Sequence, residues 1–188
     1  MTFSIEKLCG TLRPVSCEQG ANASVALILK LESGRPYVLL VRRVQNSGDP
    51  WSGQMALPGG KREPKDKNLK ETVIRETLEE TSINLLQNCQ FLGVMRAFQT
   101  KLRPEIEVLP FIILTENEPS ITLNENELED YFWIPLEELA RNRTTAKLSF
   151  GEVPAFIVGS TFIWGLTYRI LESLMRSLET ETQLRNSD

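Results

Sequence analysis

The sequence predicts a single mixed α/β domain, with helices packed on a sheet, and three observations carry that prediction. Apolar strand-like runs alternate with helix-like segments, and no internal repeat interrupts the alternation. The chain has 188 residues and is 41% apolar, enough for one buried core rather than two.

The elements follow in order. "SVALILKL" (24–31) and "RPYVLLVRRV" (35–44) are rich in β-branched residues and leucine and flank Ser33-Gly34, which predicts a β-hairpin. A polar stretch from Gln45 to Gln54 leads into "MALPGG", where Pro58 and the two glycines are expected to end regular strand and open a loop. Asn68 followed by Glu71 has the spacing of a capping box, which predicts a helix from near Leu69 to about Ser82. "CQFLGVMRAFQT" (89–100) and "EIEVLPFIILT" (105–115) read as strands, and "DYFWIPLEELA" (130–140) as a strand turning into a helix at Pro135. A last helix is expected over about 160–179, within a domain spanning 1–188 whose core is 23–175. The final "ETETQLRNSD" is expected to fray.

Composition removes several function classes. A net charge of −4 provides no dominant positive field, so neither nucleic acid nor a membrane surface is an expected partner. No run approaches the roughly 20 apolar residues that span a bilayer, and "MTFSIEKLCG" has no basic segment followed by an apolar one, so a cytoplasmic location is expected. Cys9, Cys17 and Cys89 are odd in number and form no C-x-x-C pair, which points to reduced, buried thiols. There is no histidine. That excludes Ser-His-Asp and Cys-His nucleophiles and H-E-x-x-H zinc sites, and leaves acid, base and metal ligation to carboxylates, lysine, tyrosine or cysteine.

On a helical wheel Leu69, Val73, Ile74, Thr77 and Leu78 form the half expected to be buried. Glu76, Glu79 and Glu80 occupy an arc of roughly 100° beside it. Like charges at this spacing cost a few tenths of a kcal/mol per pair, so they need solvation or a counter-ion. One reading is a solvated acidic face in which Arg75 pairs with Glu71 and Glu79. The other is a site for Mg²⁺, which prefers oxygen ligands and bridges carboxylates to substrate phosphates. Pro58-Gly59-Gly60 favours the second, because glycine lets backbone approach a ligand closely.

From Gly60, through Arg75-Glu76 and Glu79-Glu80, to Ile83, the segment resembles the signature box of the Nudix hydrolases. It departs from the common pattern in one extra residue between Gly60 and Arg75, in Asp66 at the early acidic position, in Thr77 for an aliphatic residue, and in Ser82 for glycine. "LLVRR" (39–43), "GQMALPGGKREP" (53–64) and "IWGLTYRIL" (163–171) are similar to the coenzyme A diphosphatase branch, although Trp51-Ser52 and Leu57 differ from its usual residues.

The resemblance implies a Nudix-like α/β/α sandwich with a mixed sheet, and hydrolysis of a nucleoside diphosphate linked to another group. Coenzyme A or an acyl-CoA is the first substrate expectation, with ADP-ribose, dinucleoside polyphosphates or nucleoside triphosphates as alternatives. A non-catalytic nucleotide sensor is a reading of another class. The metal, Mg²⁺ or Mn²⁺, is expected on Glu76, Glu79 and Glu80 with a backbone carbonyl of Gly59 or Gly60. Arg75 and Glu80 join Glu79 as the catalytic set; Glu79 is the first candidate for the general base, ahead of Glu105, Glu107, Glu125 and Glu127. Arg42, Arg43, Lys61 and Arg62 are candidates for substrate phosphates, and Trp51 for stacking on adenine. The expected partner is a small nucleotide, and a homodimer stays open.

Overall fold

The computed structural model describes residues 5–45 and 52–184. In chain order they form α1 (Ile5–Thr11), β1 (Ala23–Glu32), β2 (Arg35–Arg43), β3 (Met55–Ala56), β4 (Gly59–Lys61), α2 (Leu69–Thr81), β5 (Cys89–Val94) and β6 (Phe98–Gln99). There follow β7 (Glu107–Thr115), β8 (Leu128–Pro135), α3 (Leu136–Arg141), β9 (Arg143–Leu148), β10 (Gly151–Val158), β11 (Thr161–Trp164) and α4 (Gly165–Leu184).

β1 is central because its side chains are apolar on both faces. Ala26 and Ile28 join Leu69 and Val73 of α2 in one cluster, whereas Leu27 and Leu29 join α1, α3 and α4 in another. A strand covered on both sides reads as a continuous apolar run, and the two clusters make an α/β/α sandwich. The sheet is mixed: β1 runs parallel to β7 and antiparallel to β2. Its main order is β3-β2-β1-β7-β5, with β4 on β1, β6 on β7 and β8 on β2.

The hairpin forms as expected, Glu32 facing Arg35 across Ser33 (φ 50°) and Gly34 (φ 77°). Positive φ at both turn residues is the primed geometry that matches strand twist. Past Leu29 and Val38 the two strands part. β3 pairs with β2, β4 pairs with β1, and the pair fills the wedge, with the Ala26 N–H donating to the Pro58 carbonyl at 2.7 Å.

Several expectations need correction. "PGG" is not a plain loop, because Gly59 and Gly60 are strand residues opposite Val25 and Ser24. The segment 89–100 is two strands, interrupted after Val94 beyond a register shift at Gly93. The last helix starts at Gly165, not near 160: β11 pairs with β10, and Gly165 at φ 64° turns the chain into α4, which continues to Leu184. Helix α1 and the small β9–β10–β11 sheet were not anticipated. None of the cysteines is buried; Cys9 is exposed and Cys17 and Cys89 are half-buried. Among the described residues no helix is long and apolar enough to cross a membrane.

Candidate active site

Helix α2 starts as the sequence predicts and then departs from the wheel. Asn68 Oδ1 accepts the Glu71 N–H at 2.9 Å, while the Glu71 carboxylate turns back to the Lys67 N–H rather than to that of Asn68. At the far end Ser82 adopts φ 60° and its N–H bonds to the Leu78 carbonyl, so serine fills the left-handed exit usually given to glycine. Its Oγ donates to the Thr122 carbonyl, which ties the exit to the following loop. The buried face comprises Leu69, Thr72, Val73, Thr77, Glu80 and Thr81. Leu78, expected inside, is 45% exposed, and Glu80, expected on the acidic arc, is only 3% exposed. The helix has turned so that a carboxylate faces the sheet.

Glu80 meets β4 there, accepting the Gly59 N–H at 2.8 Å. Burial pushes its carboxyl up to about 8, the Gly59 bond opposes that, the charges of Glu76 and Glu127 add to it, and Arg43 opposes it weakly. Burial also raises Glu76, against the pull of Arg75. Gly60 sits against this second carboxylate: a Cβ on Gly60 would lie 2.5 Å from the Glu76 carboxyl carbon. Gly59, at φ 142°, is pressed as closely on β1, where a Cβ would come within 2.2 Å of the Ser24 carbonyl oxygen. Both glycines are needed for contact.

Arg75 does not pair with Glu71. Its Nε and Nη2 form a two-pronged bond with Asp66 at 3.1 and 2.9 Å, and Nη1 holds Glu76 at 2.9 Å and Glu79 at 3.0 Å. Nη2 also reaches the Lys61 carbonyl, and Glu63 lies 3.6 Å from Nη1. Asp66 in turn accepts from the Thr72 hydroxyl and the Glu63 N–H. These bonds hold its carboxyl well below the usual range. Asp66, on the loop before the helix, thus replaces Glu71 as the anchor. A contact nine residues back is invisible on a wheel.

The remaining candidates separate. Arg43 exerts its charge on Glu80. Arg42 stacks on Phe132 and pairs with Glu129. Lys61 is exposed beside the glycines. Arg62 binds the Asp66 and Lys67 carbonyls and lies 3.7 Å from Glu18, which makes it a strut of the 62–67 loop. Glu127 bears on both Glu76 and Glu80. The backbone of Glu105 and Glu107 is tied to Asn22 at the start of β7, and the Asn22 carbonyl also accepts the Arg62 N–H just past β4. Trp51 lies outside the described residues.

Among the described residues no three acidic side chains stand together as a finished metal cage, because Arg75 holds Glu76 and Glu79 while Glu80 is held by Gly59. The donor set nonetheless fits a hard divalent cation. It is all oxygen, and it includes a buried carboxylate whose burial one N–H bond does not offset.

The sandwich's central strand seats a glycine strand against a carboxylate-bearing helix, which brings closely packed backbone and oxygen donors to one place. The NUDIX domain family model matches residues 21–152, and the chain belongs to the Nudix hydrolase family. It is 32% identical over 124 residues to the peroxisomal coenzyme A diphosphatase ndx-8 of Caenorhabditis elegans, covering 64% of this chain and 51% of that protein. It is 31% identical over 172 residues to the uncharacterized Nudix hydrolase NudL of Pectobacterium atrosepticum, covering 87% and 85%. The chain spans about half or less of the length of the first curated relatives it matches. In fold it resembles a C. elegans Ap4A hydrolase crystal structure, at TM-score 0.56 and 16% identity over 87% of this chain and 98% of that one.

Proposed function

We propose that the chain is a Mg²⁺- or Mn²⁺-dependent pyrophosphohydrolase that splits the diphosphate of a nucleoside diphosphate derivative, coenzyme A or an acyl-CoA first among them. The observation that carries this reading is the buried Glu80 beneath Gly59, beside Glu76 and under the charge of Arg43. The one-residue expansion of the box, the "LLVRR" and "GQMALPGGKREP" segments and the similarity to ndx-8 favour coenzyme A. ADP-ribose, dinucleoside polyphosphates and nucleoside triphosphates are the alternatives in the class. The sensor reading is weaker, since all three glutamates of the box are present.

In this reading Glu76, Glu79 and Glu80 hold the cation with a Gly60 carbonyl. When bound, the cation neutralises phosphate oxygens and favours ionisation of the attacking water. Arg75 aligns Glu76 and Glu79, and its own position is fixed by Asp66. Glu79, half-exposed, is the general base, and Arg43 and Lys61 hold substrate phosphates. Arg62 supports them by fixing the loop, and Trp51 stacks on the adenine. A cytoplasmic setting completes the reading.

The test is product chromatography after incubating the protein with Mg²⁺ and coenzyme A, ADP-ribose, diadenosine polyphosphates or nucleoside triphosphates. Release of 3′,5′-ADP and phosphopantetheine is the expected result. Cleavage of another nucleotide alone would discard the branch and keep the chemistry, and no cleavage with retained nucleotide binding would favour the sensor.

A further inference from the structure

Helix α4 covers the face of the sheet opposite α2, and an open groove of about 400 Å³ runs between its outer side and the connection from β5 to β6. Arg96 lines it from the connection, and Tyr168, Arg169, Glu172, Ser173 and Arg176 line it from the helix. None of these residues belongs to the signature box.

Two of the cations are fixed by one ring. Phe98 is 1% exposed, and the guanidinium carbons of Arg96 and Arg169 lie 4.6 and 5.8 Å from its centroid. Arg169 is held further by its Nη1, which donates to the Gln99 carbonyl at 2.8 Å. Stacking on an aromatic restrains a guanidinium and leaves its N–H edge to donate. Two like charges on one ring repel, and they call for a counter-ion. The acid of the groove does not supply it, because Glu172 Oε2 accepts from Arg143 at 2.9 Å and its Oε1 from Arg176 at 2.7 Å. Among the described residues neither Arg96 nor Arg169 pairs with a carboxylate. Tyr168 and Ser173 add hydroxyls, and neither hydroxyl has a hydrogen-bond partner among the described residues.

We propose that this groove is an anion site, separate from the carboxylates of α2, that takes a phosphomonoester dianion. Arg96 and Arg169 hold the phosphate through their N–H groups, and Tyr168 and Ser173 donate to its remaining oxygens. The net charge of −4 gives the chain no general attraction for anions, so binding is local to the groove. A volume of about 400 Å³ exceeds a bare phosphate and admits the organic part of an ester. The site stands without the proposed hydrolysis, although splitting a diphosphate would release two ligands of this class.

Metal-free protein labelled with ¹⁵N is titrated with inorganic phosphate and with 3′,5′-ADP, for wild type, Arg96→Gln, Arg169→Gln and Arg141→Gln. Arg141 on α3 is an exposed arginine paired with Glu137, and its variant controls for net charge. Both ligands are expected to shift the amides around Arg96 and Ser173. Read at those amides, each groove variant should weaken binding at least about 10-fold, as loss of a charge-assisted hydrogen bond does, with Arg141→Gln within about twofold of wild type. Arg96 is exposed, so its replacement leaves the fold intact and tests the site even if Arg169→Gln does not fold. Unchanged affinity in Arg96→Gln would overturn the proposal, as would equal weakening by Arg141→Gln or shifts confined to α2 and β4. Binding only to vesicles carrying phosphatidic acid, with no response to the soluble ligands, would overturn it too. Tighter binding of 3′,5′-ADP than of phosphate would support an ester that fills the groove, and equal binding would support a site for the phosphate group alone.

Discussion

Asp66, on the loop before α2, and Glu80, in its last turn, are both withdrawn from water at 7% and 3% exposure, and their environments push them in opposite directions. Asp66 receives two guanidinium N–H groups, a hydroxyl and a backbone N–H, and is held ionised. Glu80 receives one backbone N–H, faces two other carboxylates, and is pushed up to about 8. Burial sets the size of the electrostatic stake for both, and the partners decide its sign. The satisfied acid holds the architecture together. The unsatisfied one is where we propose that the cation binds.

The sharpest way to break this contrast is to neutralise each acid. Glu80→Gln should lower turnover at least about 100-fold while leaving Tm equal or higher, since the amide stays buried without the proton uptake that the carboxyl needs. Steady-state kinetics beside a thermal melt measures both, and undiminished turnover would remove Glu80 from the site. Asp66→Asn should instead cost about 3 kcal/mol, because it breaks a buried ion pair, and lower Tm by roughly 6–12 °C. A Tm within a degree of wild type would show that Arg75 is anchored by its other acids.

The pH dependence separates the two by sign. Glu80 has a raised folded value, so the folded state keeps a proton that the unfolded chain releases above about 4.5. Its contribution is present at low pH and lost as pH rises towards 8, on the order of 5 kcal/mol. Asp66 has a depressed folded value, so its contribution is present above its ordinary value of 3.8 and lost on acidification. Urea melts in chelator from pH 5 to 8 should show a decline that Glu80→Gln flattens; an identical slope in the variant would refute the assignment. The smallest effect belongs to Glu63, a further acid beside Arg75, half-exposed at 48%. Glu63→Gln should change stability by less than about 1 kcal/mol, and a larger loss in a denaturant melt would mean that exposure is not what distinguishes it from Asp66.

What could be read in advance follows the range of the interactions. The hairpin turn and the Asn68 cap depend on near neighbours and were legible, although the Glu71 carboxylate turns to Lys67 instead of completing the capping box. The rotation of α2 was not, because the wheel ranked Leu78 as more buriable than Glu80, whereas the Gly59 N–H of a strand elsewhere in the chain decided the matter. For the same reason "PGG" read as a loop: its pairing partner is β1, thirty-odd residues upstream. The β10–β11 hairpin was recoverable from Gly159-Ser160 between "VPAFIV" and "TFIW".

The parallel pairing of β1 with β7 sets the order in which this protein can assemble. It joins Ala23 to Val108 and must close the long intervening segment before any contact rewards it, so it belongs to the slow part of folding. A growing chain therefore has its whole signature box in hand well before the strand that completes the sheet around β1. The Gly59–Glu80 contact lies on β4, which pairs with β1 inside that early stretch, so the two walls of the box can meet before β7 arrives.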